Sequence, residues 1–497
     1  MSAFYRAYTQ PDFTPHERER VEIRFAGLHW RADRVIQAVF ENQGYRAAPM
    51  PAATRDDLMA GRELADIGQC CPASFVTGCL ANFLRREAAR LGADEVKRRY
   101  VYVSIGSCGP CRFGQYHQGY ELALRHLGME GMRLLLLDQS RLEQAGGGGL
   151  EVNLQLSLGV VWAILCTDAL QSLEYRTRPY ETTPGATDRA AADGVALLCE
   201  AFRQRPRHGG KWSALAWHLT TRHFVRALQL VARRFDEVEV DRLVPKPVVK
   251  ITGEFYLQTV EGPANYDIHR WLEAEGAEVY PAAIAVWLDY LLRVSIQNLQ
   301  ARVAVDRHAR AKLAVAKVLQ RLLRWTFERM RRALDGVPHA LPEQAELRAL
   351  AAPYYHHRLA GGEGDMLVGK ALWTKRHRAA HMICELSPYS CLPNTMSVGA
   401  MAGVLGKHPD LLYAPLEVKG DAEVHALSRC QMILTEAKKR AQEEFDAALA
   451  RTGLDLAEAR RRQAARPALR RATTAIPHRD VVGTGANTVL HLAAGRA

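Results

Sequence analysis

Short, continuously apolar runs alternate with amphipathic helical stretches in two separated parts of this chain, which restricts the fold to parallel sheets covered by helices. In the first part, residues 21–25 read as a strand, 34–42 as a helix and 45–48 as a short extended piece. A β-branched and aromatic strand at 100–105, a helix over about 115–127 and a leucine-rich strand at 132–137 complete it. The second part opens with the strand at 247–253, followed by a helix at 268–275 and a strand at 277–280. It closes with a strand at 411–414 and a long charged helix at 423–450. Residues 150–241 and 283–335 carry helical periodicity instead. The fold class read from this pattern is α/β, two parallel-sheet lobes with large helical insertions. The expected division is a first lobe at 1–150, a helical segment at 151–245, a second lobe at 246–452 and a basic, loosely ordered tail at 453–497.

A chain of 497 residues is too long for one ordinary core, in keeping with two lobes. The formal charge of +12 invites an anionic partner, but much of the excess lies in the arginines at 460–462, 466, 470 and 471. That run reads as a solvated tail, and without zinc-finger spacing or an aromatic RNA-binding pattern no nucleic-acid partner is expected. The first residues have no apolar core with a cleavage site. The most apolar stretch, 156–170, contains Asp168 and falls short of a bilayer core of ~30 Å. A cytoplasmic protein with no membrane association is the expectation. Ten cysteines in such a compartment point to metal or redox chemistry rather than to disulfides.

Six of those cysteines fall in three groups: Cys70, Cys71 and Cys79; Cys108 and Cys111; and Cys391. Each of Cys71, Cys111 and Cys391 stands at or just before an expected helix start, with Pro72, Pro110 or Pro393 beside it. Unpaired amides and the helix dipole favour an anion there, so these thiols are expected to have lowered pKa values and to tolerate a negatively charged cluster. Loops at the carboxyl ends of parallel strands are also where open α/β sheets place ligands. The local pattern leaves iron–sulfur, zinc and buried structural cysteine all open. Cys166, Cys199, Cys384 and Cys430 lie in apolar contexts and read as core.

At these loops the chain resembles a known family. The elements are Cys71-Pro72-Ala73, the run from Gly109 through Tyr116 (Gly-Pro-Cys-Arg-Phe-Gly-Gln-Tyr), the run from Ser387 through Pro393, and Gly253-Glu254-Phe255-Tyr256. They resemble the C-terminal, cluster-binding region of large 2-hydroxyacyl-CoA dehydratase activase-like proteins, which is related to the iron–sulfur subunits of 2-hydroxyacyl-CoA dehydratases and benzoyl-CoA reductases. The resemblance extends over about residues 20–450. It implies two flavodoxin-like lobes with a [4Fe-4S] cluster between them, ligated by Cys71, Cys111 and Cys391, with Cys108 as an extra or alternative ligand. It further implies low-potential, one-electron chemistry on an acyl-CoA-like substrate at an open iron. Two other readings stay open: a double-cubane [8Fe-9S] reductase of small molecules using all six grouped thiols, and a non-catalytic electron-transfer partner. The chain has no Gly-x-x-x-x-Gly-Lys-Ser/Thr run, so a separate ATP-dependent activator or other electron donor is implied, with the chain a homodimer or half of a heterodimer. Arg112, Lys370, Lys375 and Arg376 are candidates to meet phosphate or carboxylate groups, and Glu254 to orient a substrate or a ligand loop.

Overall fold

The computed structural model describes residues 7–65, 68–106, 111–138, 148–207, 210–359, 362–420 and 422–494. The first lobe runs β1 (Glu22–Phe25), α1 (Trp30–Asn42), β2 (Arg46–Pro49), α2 (Arg55–Leu64), α3 (Cys71–Leu91), α4 (Ala93–Arg99), β3 (Tyr100–Gly106), α5 (Tyr116–His126) and β4 (Arg133–Asp138). Its four strands are all parallel, in the order β2-β1-β3-β4. The second lobe repeats that order as β6-β5-β7-β8, again all parallel. Here β5 is Val248–Gly253, β6 Glu278–Tyr280, β7 Met382–Pro388 and β8 Leu412–Val418. Both lobes are therefore flavodoxin-like. In each, the chain goes from the first strand outward to the second and then crosses back to the third, which leaves a crevice at the carboxyl ends of the first and third strands.

The helices α6 (Leu154–Thr177), α7 (Ala186–Arg203), α8 (Lys211–Thr220) and α9 (His223–Asp236) join the lobes and pack on the first one, sharing a core with α1. Helix α6 is longer than the apolar stretch in the sequence suggests. It has the length and apolarity to cross a membrane, yet 83% of its apolar window is buried inside the fold. Its two buried carboxylates have internal partners: Asp168 Oδ2 accepts from the Ala285 amide and Glu174 accepts from Arg31. It is the core helix of a folded body.

In the second lobe, α10 (Phe255–Thr259) and α11 (Ile268–Ala274) follow β5. The insertion between β6 and β7 comprises α12 (Ile284–Arg302), α13 (Ala309–Ala333), α14 (Gln344–Ala351) and α15 (Asp365–Arg376). Then come α16 (Leu392–Lys407) and α17 (Glu423–Thr452). The two lobes share one apolar core that runs from Phe75 and Tyr102 to Ile251 and Leu386.

The expected loose tail is corrected. Residues 456–494 form α18 (Leu456–Ala464) and α19 (Thr484–Ala494), and Val489, Leu490 and Leu492 pack against Phe445 and Ala448 of α17. Arg461 and Arg462 pair with Glu458, and Arg470 pairs with Glu239. The arginines form the wet face of a segment whose other face is apolar.

Candidate functional site

Each lobe sends a cysteine loop out from the carboxyl end of its third strand. In the first lobe β3 leads to Cys111, which caps a short 3₁₀ turn at Arg112–Gln115 ahead of α5. In the second, β7 leads to Cys391, the N-cap of α16. The identical strand orders make these loops equivalent positions of two like lobes. Cys70 is the N-cap of α3 and Cys71 its first residue, with Pro72 in the first turn. Proline there fits a position whose amide has no helical partner.

The loops meet across the lobe junction. The Cys71 amide donates to the Tyr389 carbonyl at 3.3 Å. Arg112 Nη1 donates to Ser390 Oγ at 3.1 Å, and Ser390 Oγ donates to the Gly68 carbonyl at 3.4 Å. Ser390 holds φ +66°, a left-handed conformation that is uncommon outside glycine and asparagine. It turns the chain just before Cys391.

Glu254 faces the same junction. Gly253 ends β5 at φ +126°, where a Cβ would lie 2.2 Å from the Leu386 carbonyl oxygen. Only glycine lets β5 and β7 approach this closely and the chain turn inward. Glu254 then caps α10, its Oε2 accepting from the Leu257 amide at 3.0 Å. Burial pushes its carboxyl up to about 7.

Cys70, Cys111 and Cys391 all feel Glu254, and Cys391 also feels Cys70 and Cys111. Burial is the largest influence on these three thiols and pushes each up, Cys111 to about 11. For Cys111 and Cys391 the expectation of lowered pKa values is therefore corrected: desolvation outweighs the helix termini. The amides still act in the expected direction, those of Ala73, Phe113 and Asn394 favouring the thiolates of Cys70, Cys111 and Cys391 respectively.

The adjacent cysteines differ in surroundings. Cys70 Sγ lies 3.3 Å from Tyr116 Oη and faces Cys111 and Cys391. Cys71 is buried beside it, near Tyr256. Cys79 donates to the Pro51 carbonyl at 3.4 Å and lines a different cavity. Cys108 lies outside the described residues. Cys166, Cys199, Cys384 and Cys430 are buried in the fold.

Behind Glu254 stands a buried polar chain that joins Lys370, named from the sequence, to Gln258 and Glu363, which the sequence reading missed. Lys370 Nζ donates to Gln258 Oε1 at 3.4 Å, and Gln258 Nε2 donates to Glu363 Oε1 at 3.1 Å. Burial drives Glu363 up and Lys370 down, both toward the neutral form. Glu363 Oε2 is buried without a hydrogen-bond partner among the described residues. A lone lysine inside Met366-Leu367-Val368-Gly369-Lys370-Ala371-Leu372 was the available sign. Lys375 and Arg376, by contrast, make surface pairs with Asp410 and Glu346.

Glu385, in the middle of β7, is fully buried, and its Oε1 accepts from Asn394 Nδ2 at 3.1 Å. Burial pushes its carboxyl up to about 7. The folded chain thus holds a proton that the unfolded chain releases near pH 4, so the stability lost to this burial is nil in acid and grows as pH rises to about 7. Glu385→Gln keeps the acceptor for Asn394. It is expected to leave the urea midpoint of metal-free protein unchanged at pH 4 and to stabilise it by about 3 kcal/mol at pH 8.5. A difference independent of pH would contradict the assignment.

Among the described residues, no three His, Cys, Asp or Glu side chains gather as they would around a single metal ion. A tetrahedral zinc, with Zn–S of about 2.3 Å, draws its sulfurs to within roughly 4 Å of one another. The thiols here come from three loops, and backbone amides are directed at those of Cys70, Cys111 and Cys391. No family model matches the chain, and no curated protein does.

Proposed function

We propose that the chain is an iron–sulfur protein that holds one [4Fe-4S] cluster between its lobes and serves low-potential, one-electron reduction of an acyl-CoA-like thioester. The observation that carries this reading is the meeting of largely buried thiols, two of them from equivalent loops of two like lobes, with a backbone amide directed at each of Cys70, Cys111 and Cys391. Cys111 and Cys391 are two of the ligands, and the Cys70–Cys71 pair supplies the third. The resemblance names Cys71, and Cys70 beside it interacts electrostatically with Cys111 and Cys391. Such a cluster, when bound, supplies one electron at low potential and, with three protein ligands, an open iron as Lewis acid.

The chain's own residues prepare that setting. Glu254, raised to about 7, is largely protonated below neutral pH and then adds no negative charge beside an anionic group. Burial is the larger effect on its carboxylate, and the backbone amides of Leu257 and Tyr256 act in the opposite direction. Tyr116, buried against Cys70, keeps water from the thiol and has its own hydroxyl pushed well up by burial. A separate ATP-dependent activator or other donor delivers the electron, in an anaerobic cytoplasm. One cubane is better supported than the double-cubane alternative, which needs Cys79, a thiol engaged by Pro51 in another wall.

Electron paramagnetic resonance of the reduced protein tests the substrate reading. An acyl-CoA thioester is expected to change the signal at millimolar concentration, and the pantetheine moiety alone to leave it unchanged. A signal unmoved by any thioester, in a protein that passes its electron to a second protein, would replace the enzyme with an electron carrier.

A further inference from the structure

A cavity of about 530 Å³ lies at the carboxyl ends of β1 and β2, a volume suited to a small organic molecule. Helix α7 contributes one wall through Val195, and Tyr256, Val260 and Glu261 of the second lobe contribute another. Most of the lining is apolar, with Met50 and Val76 among it. Of the grouped thiols that the structure describes, Cys79 alone borders it.

One carboxylate in this lining has no counterion. Asp33 Oδ1 accepts from the Leu28 amide at 2.8 Å, while Oδ2 accepts no hydrogen bond and joins no ion pair among the described residues. Gly27 leaves open the space beside it, where a Cβ would stand 2.5 Å from Oδ2. The neighbouring cation, Arg31, is taken up by a two-pronged pair with Glu174 and a further bond to Glu261. Glu261 Oε1, which takes that bond, also accepts from Gln171 and Tyr175. His269 behind it is held neutral by burial. Arg34 and Arg203 border the cavity but are exposed to solvent, and Arg203 is paired with Glu41. Two carboxylates thus line the cavity, and the one buried cation beside them is already occupied.

The geometry points to this cavity as a binding site for a small apolar molecule bearing one ammonium group, its nitrogen on Asp33 Oδ2 and its hydrocarbon body among Met50, Val76, Val195 and Val260. A charge-assisted bond at a partly desolvated carboxylate is stronger than a neutral one, and the apolar walls add the burial of the body. The inference goes beyond the cluster reading and does not rest on it.

Calorimetric titration of the full chain at pH 8 with 2-phenylethylamine and with its near-isostere 2-phenylethanol tests the site. The amine is expected to bind at least about tenfold more tightly than the alcohol, a difference of about 1.4 kcal/mol. Asp33→Asn should bring the amine to within about threefold of the alcohol while leaving the alcohol unchanged. Ala192→Trp, at an exposed position in the lining, leaves Asp33 intact and should abolish binding of both probes. Equal binding of the two probes to the unaltered chain would overturn the proposal. So would an amine affinity that survives Asp33→Asn, or the absence of binding by either probe at millimolar concentration.

Discussion

Gly78→Ala is expected to destabilise the protein by about 3 kcal/mol or more, although alanine normally favours a helix interior over glycine by about 1 kcal/mol. The reversal comes from packing. Helices α2 and α3 touch backbone to backbone, and a Cβ on Gly78 would lie 1.6 Å from the Asp57 carbonyl oxygen and 2.6 Å from the Gly61 amide nitrogen. Gly61 has the same relation to the Ser74 carbonyl, at 1.8 Å. Backbone cannot swing aside as a side chain can, so the helices must separate. The capping box of α2, in which Thr54 and Asp57 exchange hydrogen bonds, fixes the start of that helix, and the bond from Asn82 of α3 to Asp57 ties the two helices together. Since α3 begins at the Cys70–Cys71 pair, its displacement also moves those thiols away from Cys111 and Cys391.

Gly399→Ala supplies the contrast. Gly399 lies in α16 with nothing within 4 Å of its would-be Cβ. That substitution should stabilise by up to about 1 kcal/mol through helix propensity alone. Urea midpoints of the two variants are expected to move in opposite directions. A Gly78→Ala protein as stable as the parent would show that α2 and α3 are not in backbone contact.

Much of this architecture is legible in the residues. Strand β5 is buried along its whole length and β3 along its first four residues, so both carry a continuous apolar signature, whereas β1 alternates Glu22 and Arg24 with the buried Ile23 and Phe25. Strand β7 is harder to read because Glu385 and Pro388 interrupt it, and what makes Glu385 tolerable is Asn394 on α16, a partner that only the tertiary fold supplies. The same holds for Glu254. In sequence it is a polar residue after a strand, and its burial follows from Gly253 passing close to Leu386.

The cysteine loops announce themselves by their prolines and helix starts, but not which thiol of the Cys70–Cys71 pair faces the others, since that depends on Tyr116 and the entry angle of α3. The reading of lowered thiol pKa values counted the amides and omitted the apolar surroundings, which exert the larger effect. The arginines near the C-terminus concealed an apolar face at Leu469, Val489 and Leu490.

Iron and acid-labile sulfide counted per chain, after anaerobic purification, test most directly whether thiols of the two lobes share one group. The unaltered chain should carry about four of each, and Cys111→Ser combined with Cys391→Ser close to none. Cys70→Ser and Cys71→Ser made singly should separate the third ligand from its neighbour, one losing the iron and the other keeping it. Full iron and sulfide in the Cys111→Ser, Cys391→Ser protein, or none in the unaltered chain under the same conditions, would contradict the assignment of a cluster between the lobes.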